Sequence, residues 1–163
     1  MKAVQPTATK GPSMSIVVKQ ARIGDLAALT ALFDGYRQFY AQRSDPDLAR
    51  TFLSDRFEHG ESILFLAEDG AGRAVGIIQL YPSFSSTRAA RILILNDLFV
   101  TPQARGQGAG RRLLEAAAAY GRGVGAVELT LSTARTNRAA QALYEKAGWE
   151  RDEVYLPYQL ALT

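Results

Sequence analysis

The sequence predicts an α+β fold: one domain with a mixed, mostly antiparallel central sheet of six to seven strands, flanked by about four helices. Apolar runs of strand length are distinct from amphipathic runs with helical spacing. Several predicted strands follow one another through short turns, which is unlike the strict strand–helix alternation of a doubly wound sheet. The chain has 163 residues, is 47% hydrophobic, and shows no internal repeat or linker, so one domain is the economical prediction.

Composition narrows the classes of function. The chain contains no cysteine, which excludes disulfides, thiolate metal sites and thiol nucleophiles, and we assign no metal. A net charge of +3 is too small to predict a nucleic-acid partner. No apolar run is long enough to span a membrane, so we expect a cytoplasmic protein. Residues 1–14 are polar and unpatterned, and we predict a disordered extension before a domain at 15–163.

The first half of the chain predicts two helices and four strands. Leu26, Leu29, Phe33, Tyr36 and Tyr40 recur at helical spacing after Asp25, which we expect to act as the cap. The predicted elements are a strand at 16–18, helices at 25–40 and 47–58, and strands at 62–68, 74–81 and 91–100, with a hairpin turn at 69–72 and a loop at 82–87.

The second half predicts helix, strand, helix and a final strand region. A helix is expected at 111–122, a half-buried strand at 127–132, a helix from Asn137 to Gly148, and one or two strands around Pro157 between Trp149 and Leu162. In the helix after Asn137, Ala140, Leu143, Tyr144 and Ala147 fall on one face.

A glycine-rich turn joins the strand at 91–100 to the helix at 111–122. Gly106, Gly108 and Gly110 allow close approach of the backbone to a ligand, and a helix start leaves N–H groups unpaired beside a partial positive charge. Four arginines and one glutamate lie between Thr101 and Gly123. The turn therefore suits the oxygens of a phosphate group.

Two common phosphate-binding motifs do not fit this turn. A P-loop requires a lysine after its last glycine, and no lysine lies near this loop. A dinucleotide site places the first glycine directly at the strand end and an acid at the end of the next strand. Here residues 101–105 intervene, and the next predicted strand ends in Leu131-Ser132-Thr133, so this interpretation is weak.

Two segments together resemble the GCN5-related N-acetyltransferases, the GNAT superfamily. Arg105-Gly-Gln-Gly108-Ala-Gly110 matches the R/Q-x-x-G-x-G/A signature, and Asn137-Arg-Ala-Ala-Gln-Ala-Leu-Tyr144-Glu-Lys-Ala-Gly148-Trp149 resembles N-x-x-A-x-x-L-Y-x-x-x-G-F/W. The segments come in the expected order, separated by one helix and one strand, and the resemblance covers residues 16–163. The segment at 95–100 is most similar to the spermidine/spermine and small histone/polyamine acetyltransferase-like branch.

The resemblance implies acetyl-CoA as the cofactor. Backbone N–H groups of the glycine loop would hold the pyrophosphate, the preceding strand would pair with the pantetheine arm, and the second segment would meet the cofactor from the other side. The cofactor-binding residues implied in this way are Leu98, Phe99, Val100, Arg105, Gly106, Gln107, Gly108, Ala109, Gly110, Arg111, Asn137, Arg138, Ala140 and Tyr144.

The resemblance also makes Tyr144 the general acid. A phenol with a pKa near 10 can donate a proton or hydrogen bond to a departing thiolate. Some family members place a glutamate base on the central strand, but this position is Asn96 here. Asp97 is expected to point to the face of the strand opposite Asn96. The proton of the acceptor amine would then leave through ordered water, through Asp97 if a bulge re-aims it, or before the amine binds.

Tyr36, Tyr40 and Tyr81 are predicted to line the acceptor pocket with Asn96 and Asp97. The predicted function is transfer of an acetyl group to a primary amine of a small molecule, such as a polyamine or an amino acid. The alternatives are a protein lysine or N-terminal acetyltransferase and, less favoured, a non-catalytic acyl-CoA-binding module. The family also makes a homodimer a reasonable expectation, with neither nucleic acid nor membrane as a partner.

Overall fold

The computed structural model describes residues 15–162, and the predicted extension at 1–14 lies outside them. The chain divides into two compact units, one ending at Leu131 and the second beginning at Ser132. The first unit contains β1 (Val17–Gln20), α1 (Leu26–Phe39), α2 (Pro46–Glu58), β2 (Ile63–Glu68), β3 (Ala74–Ser85), β4 (Ala90–Val100), α3 (Ala109–Gly123) and β5 (Leu129–Leu131). The second unit contains α4 (Arg138–Lys146).

The sheet has the order β1-β2-β3-β4-β5. All neighbouring strands run antiparallel except β4 and β5, which are parallel because α3 connects them as a crossover. The α+β class and the mixed, mostly antiparallel sheet are confirmed, and the helices number four among the described residues. The predicted count of six to seven strands is wrong, since residues 15–162 form five.

The missing strands belong to the end of the chain. Within the described part, no strand follows α4, and the apolar side chains of Val154, Leu156 and Tyr158 are exposed. An alternating apolar pattern supplies side chains for a strand but not the edge that must accept its backbone hydrogen bonds, and Pro157 removes one donor. Pattern alone therefore overestimates the number of strands.

β3 continues through Pro82–Ser85, where the sequence predicts a loop. β2 begins at Ile63, opposite Leu80, so β3 pairs with β4 alone from Tyr81 onward. A proline is tolerated on a stretch with one free edge, because its missing N–H need not complete a second ladder. The antiparallel ladder with β4 carries the strand to Ser85.

α1 and α2 pack against one face of the sheet through a shared apolar cluster. The cluster includes Leu29, Phe33 and Leu53 from the helices, packed with Leu66 and Ile77 from the strands. Leu29, Leu53 and Ile77 are fully buried. α3 packs against the opposite face, where Leu113 is also fully buried. The sheet is thus covered on both faces, with β3 as its middle strand.

Asp25 does not cap α1 as expected. It occupies the position before the helix but makes no capping hydrogen bond there. Its carboxylate instead accepts the N–H of Arg22, at 2.9 Å, and pairs with Lys19, at 3.0 Å, which together lower its pKa. The cap of α2 is Asp45, which accepts the N–H of Leu48 at 2.9 Å. No helix of residues 15–162 is long and apolar enough to cross a membrane.

Candidate active site

β4 has a free edge in its C-terminal half. β5 pairs only with Leu93–Leu95, and within residues 15–162 no strand pairs with the following residues of β4 on that side. Such an edge presents backbone N–H and C=O groups that an extended, amide-bearing ligand can pair with. Leu98, Phe99 and Val100 form this stretch, where the sequence predicts the pantetheine arm.

The loop after β4 has the backbone conformation that glycine favours. Gly106 and Gly108 have φ values of +75° and +89°, in the left-handed region. A Cβ at either position would meet nothing within 4 Å, so the backbone conformation and not crowding makes side chains unfavourable there. Among residues 15–162, the N–H groups of Gly106, Gln107 and Gly108 donate in none of the hydrogen bonds found.

This loop ends at the start of α3, with Gly108 as the residue before the helix and no side chain capping it. The first turn, Ala109, Gly110 and Arg111, therefore adds N–H groups and the positive end of the helix dipole. The Arg111 guanidinium pairs with Glu115 at 2.6 Å, one turn along the helix. Backbone N–H groups without partners at a helix start can donate hydrogen bonds to the pyrophosphate of a nucleotide-containing cofactor.

Arg105 lies between the loop and α1. Its Nε donates to the carbonyl oxygen of Val100 at 3.2 Å, and its guanidinium lies 5.7 Å from the centroid of the Phe39 ring. Both contacts tie the start of the glycine loop to neighbouring elements of the same unit. Phe39 also meets Tyr40 edge to face, and the Tyr40 side chain is about half exposed.

A β-bulge lies at Asn96, in the middle of β4. Gln79 of β3 is opposite Asp97, whereas the next residue, Leu80, is opposite Leu95, so Asn96 is the extra residue. Without the bulge, Asp97 would share the α3 side of the sheet with Leu95. The bulge turns Asp97 to the face that α1 covers, together with Gln79. Asp97 is expected from the sequence to point to the opposite face unless a bulge re-aims it, and the structure contains such a bulge.

Asp97 is buried, with 3% of its surface exposed, and is held by three donors. Its carboxylate accepts the Gln79 amide at 2.9 Å, the Asn96 amide at 3.1 Å and the hydroxyl of Tyr36. Burial nevertheless raises the pKa of Asp97 above its ordinary value of 3.8, because desolvation outweighs the three hydrogen bonds. An ionised carboxylate has about four acceptor positions, which leaves one for a ligand.

The raised pKa of Asp97 predicts a dependence of stability on pH. The folded protein holds this proton more tightly than the unfolded chain, so the stabilisation is complete below about pH 3.9 and is lost as pH rises through the folded pKa. Asp97→Asn removes the titrating carboxyl, so we expect the free energy of unfolding no longer to fall with pH for this reason. The slope of the free energy of unfolding against pH should differ from that of the wild type by up to about 1.4 kcal/mol per pH unit. Urea unfolding of both proteins at pH steps from 3.5 to 7 measures it. Asp47→Asn, on the exposed first turn of α2, controls for a lost carboxylate, and parallel curves for Asp97→Asn and wild type would contradict the assignment.

Gln79 connects Asp97 to Tyr81. The Gln79 side chain is fully buried, and its amide nitrogen donates both to Asp97 and to the hydroxyl oxygen of Tyr81, at 2.6 Å. Burial, and secondarily the charge of Asp97, raises the pKa of Tyr81 to about 12. The structure thus brings Tyr36, Tyr81, Asn96 and Asp97 into one hydrogen-bonded cluster. Tyr40 joins it only through its ring, 5.1 Å from that of Tyr36.

The sequence analysis missed Gln79, although a signal was available. Gln79 is a polar residue in the middle of an otherwise apolar strand, at a position that alternation with Ile77 predicts to be buried. A fully buried amide requires hydrogen-bond partners, and here those partners are two residues of the predicted acceptor pocket.

The second unit carries the remaining predicted residues on α4. The side chain of Asn137 caps the helix by accepting the N–H of Ala140 at 3.2 Å, and Arg138 contacts Gln141 at 3.5 Å. The ring of Tyr144 lies 6.1 Å from that of Trp149, and the carbonyl of Tyr144 accepts the N–H of Trp149 at 3.0 Å. The predicted start of this helix at Asn137 is confirmed.

In this mixed sheet, a strand with a free edge leads into a glycine-rich helix start. The edge suits an extended amide-bearing arm and the helix start suits a pyrophosphate, as an acyl-CoA-dependent acyltransferase requires. The profile of the Acetyltransferase (GNAT) family matches residues 27–149, and the chain belongs to this family. It is therefore an N-acetyltransferase that uses acetyl-CoA.

Three known proteins illustrate the relationship. The chain is 49% identical over 143 residues to the uncharacterized N-acetyltransferase YhfO of Bacillus subtilis (strain 168), covering 88% of this chain and 95% of that protein. It is 29% identical to the D-amino-acid N-acetyltransferase HPA3 of Saccharomyces cerevisiae, covering 85% and 88%. A crystal structure of a probable acetyltransferase superposes with a TM-score of 0.85 at 38% identity, covering 90% and 98%.

Proposed function

We propose that this N-acetyltransferase acetylates a primary amine of a small molecule, such as an amino acid or a polyamine. The observation that carries the proposal is the buried carboxylate of Asp97, placed by the bulge beside the free edge of β4 and flanked by Tyr36 and Tyr81. A carboxylate among aromatic rings is a favourable environment for an alkylammonium group.

The cofactor is proposed to bind along β4 and the glycine loop. Leu98–Val100 pair with the pantetheine arm, and residues 105–111 hold the pyrophosphate. The family resemblance also assigns Asn137, Arg138 and Ala140 to cofactor binding. When bound, acetyl-CoA supplies an acetyl group activated as a thioester. The support from the structure is the unpaired edge and the left-handed glycines of the first unit; the support for α4 is the resemblance of residues 137–149 to the family segment.

Two residues are proposed to move protons. Tyr144 acts as general acid and protonates the departing sulfur, which a phenol can do while it remains protonated at neutral pH. Asp97 accepts the proton of the acceptor ammonium, directly or through the Tyr36 hydroxyl, since nucleophilic attack requires the neutral amine. Its raised pKa brings it closer to that task than an ordinary aspartate. No covalent acyl-cysteine can form, because the chain has no cysteine.

The named activity of one relative, a D-amino-acid N-acetyltransferase, supports the amine class without selecting one amine. The similarity of residues 95–100 to the spermidine/spermine branch stays a prediction, as do a homodimer and a cytoplasmic location. A protein lysine acetyltransferase is the second candidate, because a lysine side chain is slender enough to reach a buried carboxylate.

The test combines binding with turnover. Calorimetric titration with acetyl-CoA is expected to show binding, and thiol release is expected with a panel of free amino acids, diamines and polyamines. Turnover only with lysine-containing peptides or protein N-termini would support the second candidate instead. Tight binding of acetyl-CoA without thiol release from any amine would indicate a non-catalytic acyl-CoA-binding module and overturn the proposal.

A further inference from the structure

The Tyr81 hydroxyl can act as a hydrogen-bond donor. Its oxygen accepts the Gln79 amide at 2.6 Å, and the other hydrogen of that amide is taken by Asp97. Both hydrogens of the Gln79 amide are thus used, and the amide oxygen faces Ser62 at 3.5 Å. Within residues 15–162 no acceptor for the Tyr81 hydrogen is found, and the residue is only half-buried. This hydrogen is available to a ligand.

Arg56 is connected to this neighbourhood through Glu61, which directly precedes Ser62, the residue that contacts Gln79. The charges of Arg56 and Glu61 both act on the Tyr81 hydroxyl. Arg56 uses Nε to pair with Glu61 at 2.6 Å, and its guanidinium lies 4.7 Å from the centroid of the Phe52 ring. In the described part of the chain, its two terminal nitrogens make no hydrogen bond. The ring and Glu61 therefore hold a guanidinium whose terminal fork is unoccupied.

We propose that the terminal nitrogens of Arg56 and the hydroxyl of Tyr81 bind a carboxylate of the acceptor while its amine faces Asp97, so that the acceptor is an amino acid. This inference rests on the proposed function and narrows its substrate class. The carboxylate of Asp97 and the hydroxyl of Tyr81 flank one nitrogen of Gln79, so a molecule as short as an amino acid reaches both.

The two ends of the proposed binding position have opposite hydrogen-bonding character. The end at Asp97 accepts and is anionic, and the end at Arg56 and Tyr81 donates. A free amino acid matches both, whereas a diamine would place its second ammonium against a guanidinium. Glu61 does not cancel this selection, because its side chain is 51% exposed against 24% for Arg56 and so lies on the solvent side of the pair.

The test compares amino acids with analogues that lack the carboxylate. Values of kcat/KM are measured for D- and L-amino acids, for their amides and for the corresponding decarboxylated amines. We expect the wild-type protein to favour the amino acids by roughly 10- to 100-fold, the range for one hydrogen bond to a charged group. Arg56→Gln should remove most of this preference while changing kcat/KM for the amides less than about 3-fold.

Arg50→Gln, on the exposed side of the same helix, is the matched control and should keep the wild-type preference. Equal or better turnover of amides, amines or polyamines by the wild-type protein would overturn the inference and leave the transferase proposal standing. An equal loss for every acceptor in Arg56→Gln would also overturn it, because that pattern indicates a structural role. Absence of thiol release with every amine would instead sink the transferase proposal and the inference with it.

Discussion

Gly108→Val is expected to lower the affinity for acetyl-CoA by at least about 100-fold while the domain remains folded. Gly108 has φ of +89°, which a β-branched residue rarely adopts, and it precedes the first turn of α3. A valine would turn the neighbouring N–H groups away from the pyrophosphate. Loss of two or three hydrogen bonds to a charged ligand accounts for the magnitude. Calorimetric titration with acetyl-CoA measures it.

Gly72→Val is the matched control for this change. Gly72 has φ of +76°, has open space around its Cβ position, and lies in the turn between β2 and β3. It therefore introduces the same kind of backbone strain in a turn that is not part of the glycine loop. We expect it to lose a similar amount of thermal stability and to retain affinity. If Gly108→Val binds acetyl-CoA as tightly as Gly72→Val does, the loop does not hold the pyrophosphate.

Tyr144→Phe is expected to lower kcat by about 100- to 10,000-fold, the range for loss of a general acid, while the dissociation constant for acetyl-CoA changes little. The substitution removes the one proton donor of the side chain and retains its ring, so the packing on Trp149 is preserved. Steady-state kinetics across a pH series, with calorimetry for the cofactor, separate the two quantities.

The control for this variant is Tyr155→Phe in the same unit. Tyr155 is 78% exposed and has no proposed role, so its loss of a hydroxyl should leave kcat within about 2-fold. An unchanged kcat in Tyr144→Phe would remove Tyr144 as general acid. A parallel rise in the dissociation constant would assign the hydroxyl to cofactor binding instead.

Local patterns predicted most of the fold. The helical spacing after Asp25, the Asp69–Gly72 turn and the helix start at Asn137 each depend on neighbouring residues, and all correspond to observed features. The end of β3 and the strands around Pro157 were predicted wrongly, because strand pairing depends on which edge is available elsewhere in the chain. The position of such an edge is a tertiary property.

The same distinction applies to the active site. The glycine loop could be predicted, because a left-handed backbone favours glycine and the glycines at 106 and 108 are therefore a local signal. The orientation of Asp97 could not, because the bulge at Asn96 is defined only by the register between β3 and β4. Arg56 belongs to α2 and is connected to the neighbourhood of Tyr81 through Glu61, and nothing in its local sequence distinguishes it from the other arginines of the chain.

The extra residue in β4 also affects how related chains should be aligned. Upstream of Asn96, the odd-numbered side chains of β4 face α3, and downstream the odd-numbered side chains face α1. An acid can therefore move by one position along the chain and still serve the same pocket, provided that the insertion moves with it. Carboxylates that stand in adjacent columns of an alignment of two homologues can then be chemically equivalent. Such homologues are aligned better when the gap is placed according to side-chain direction than when it is placed according to residue identity.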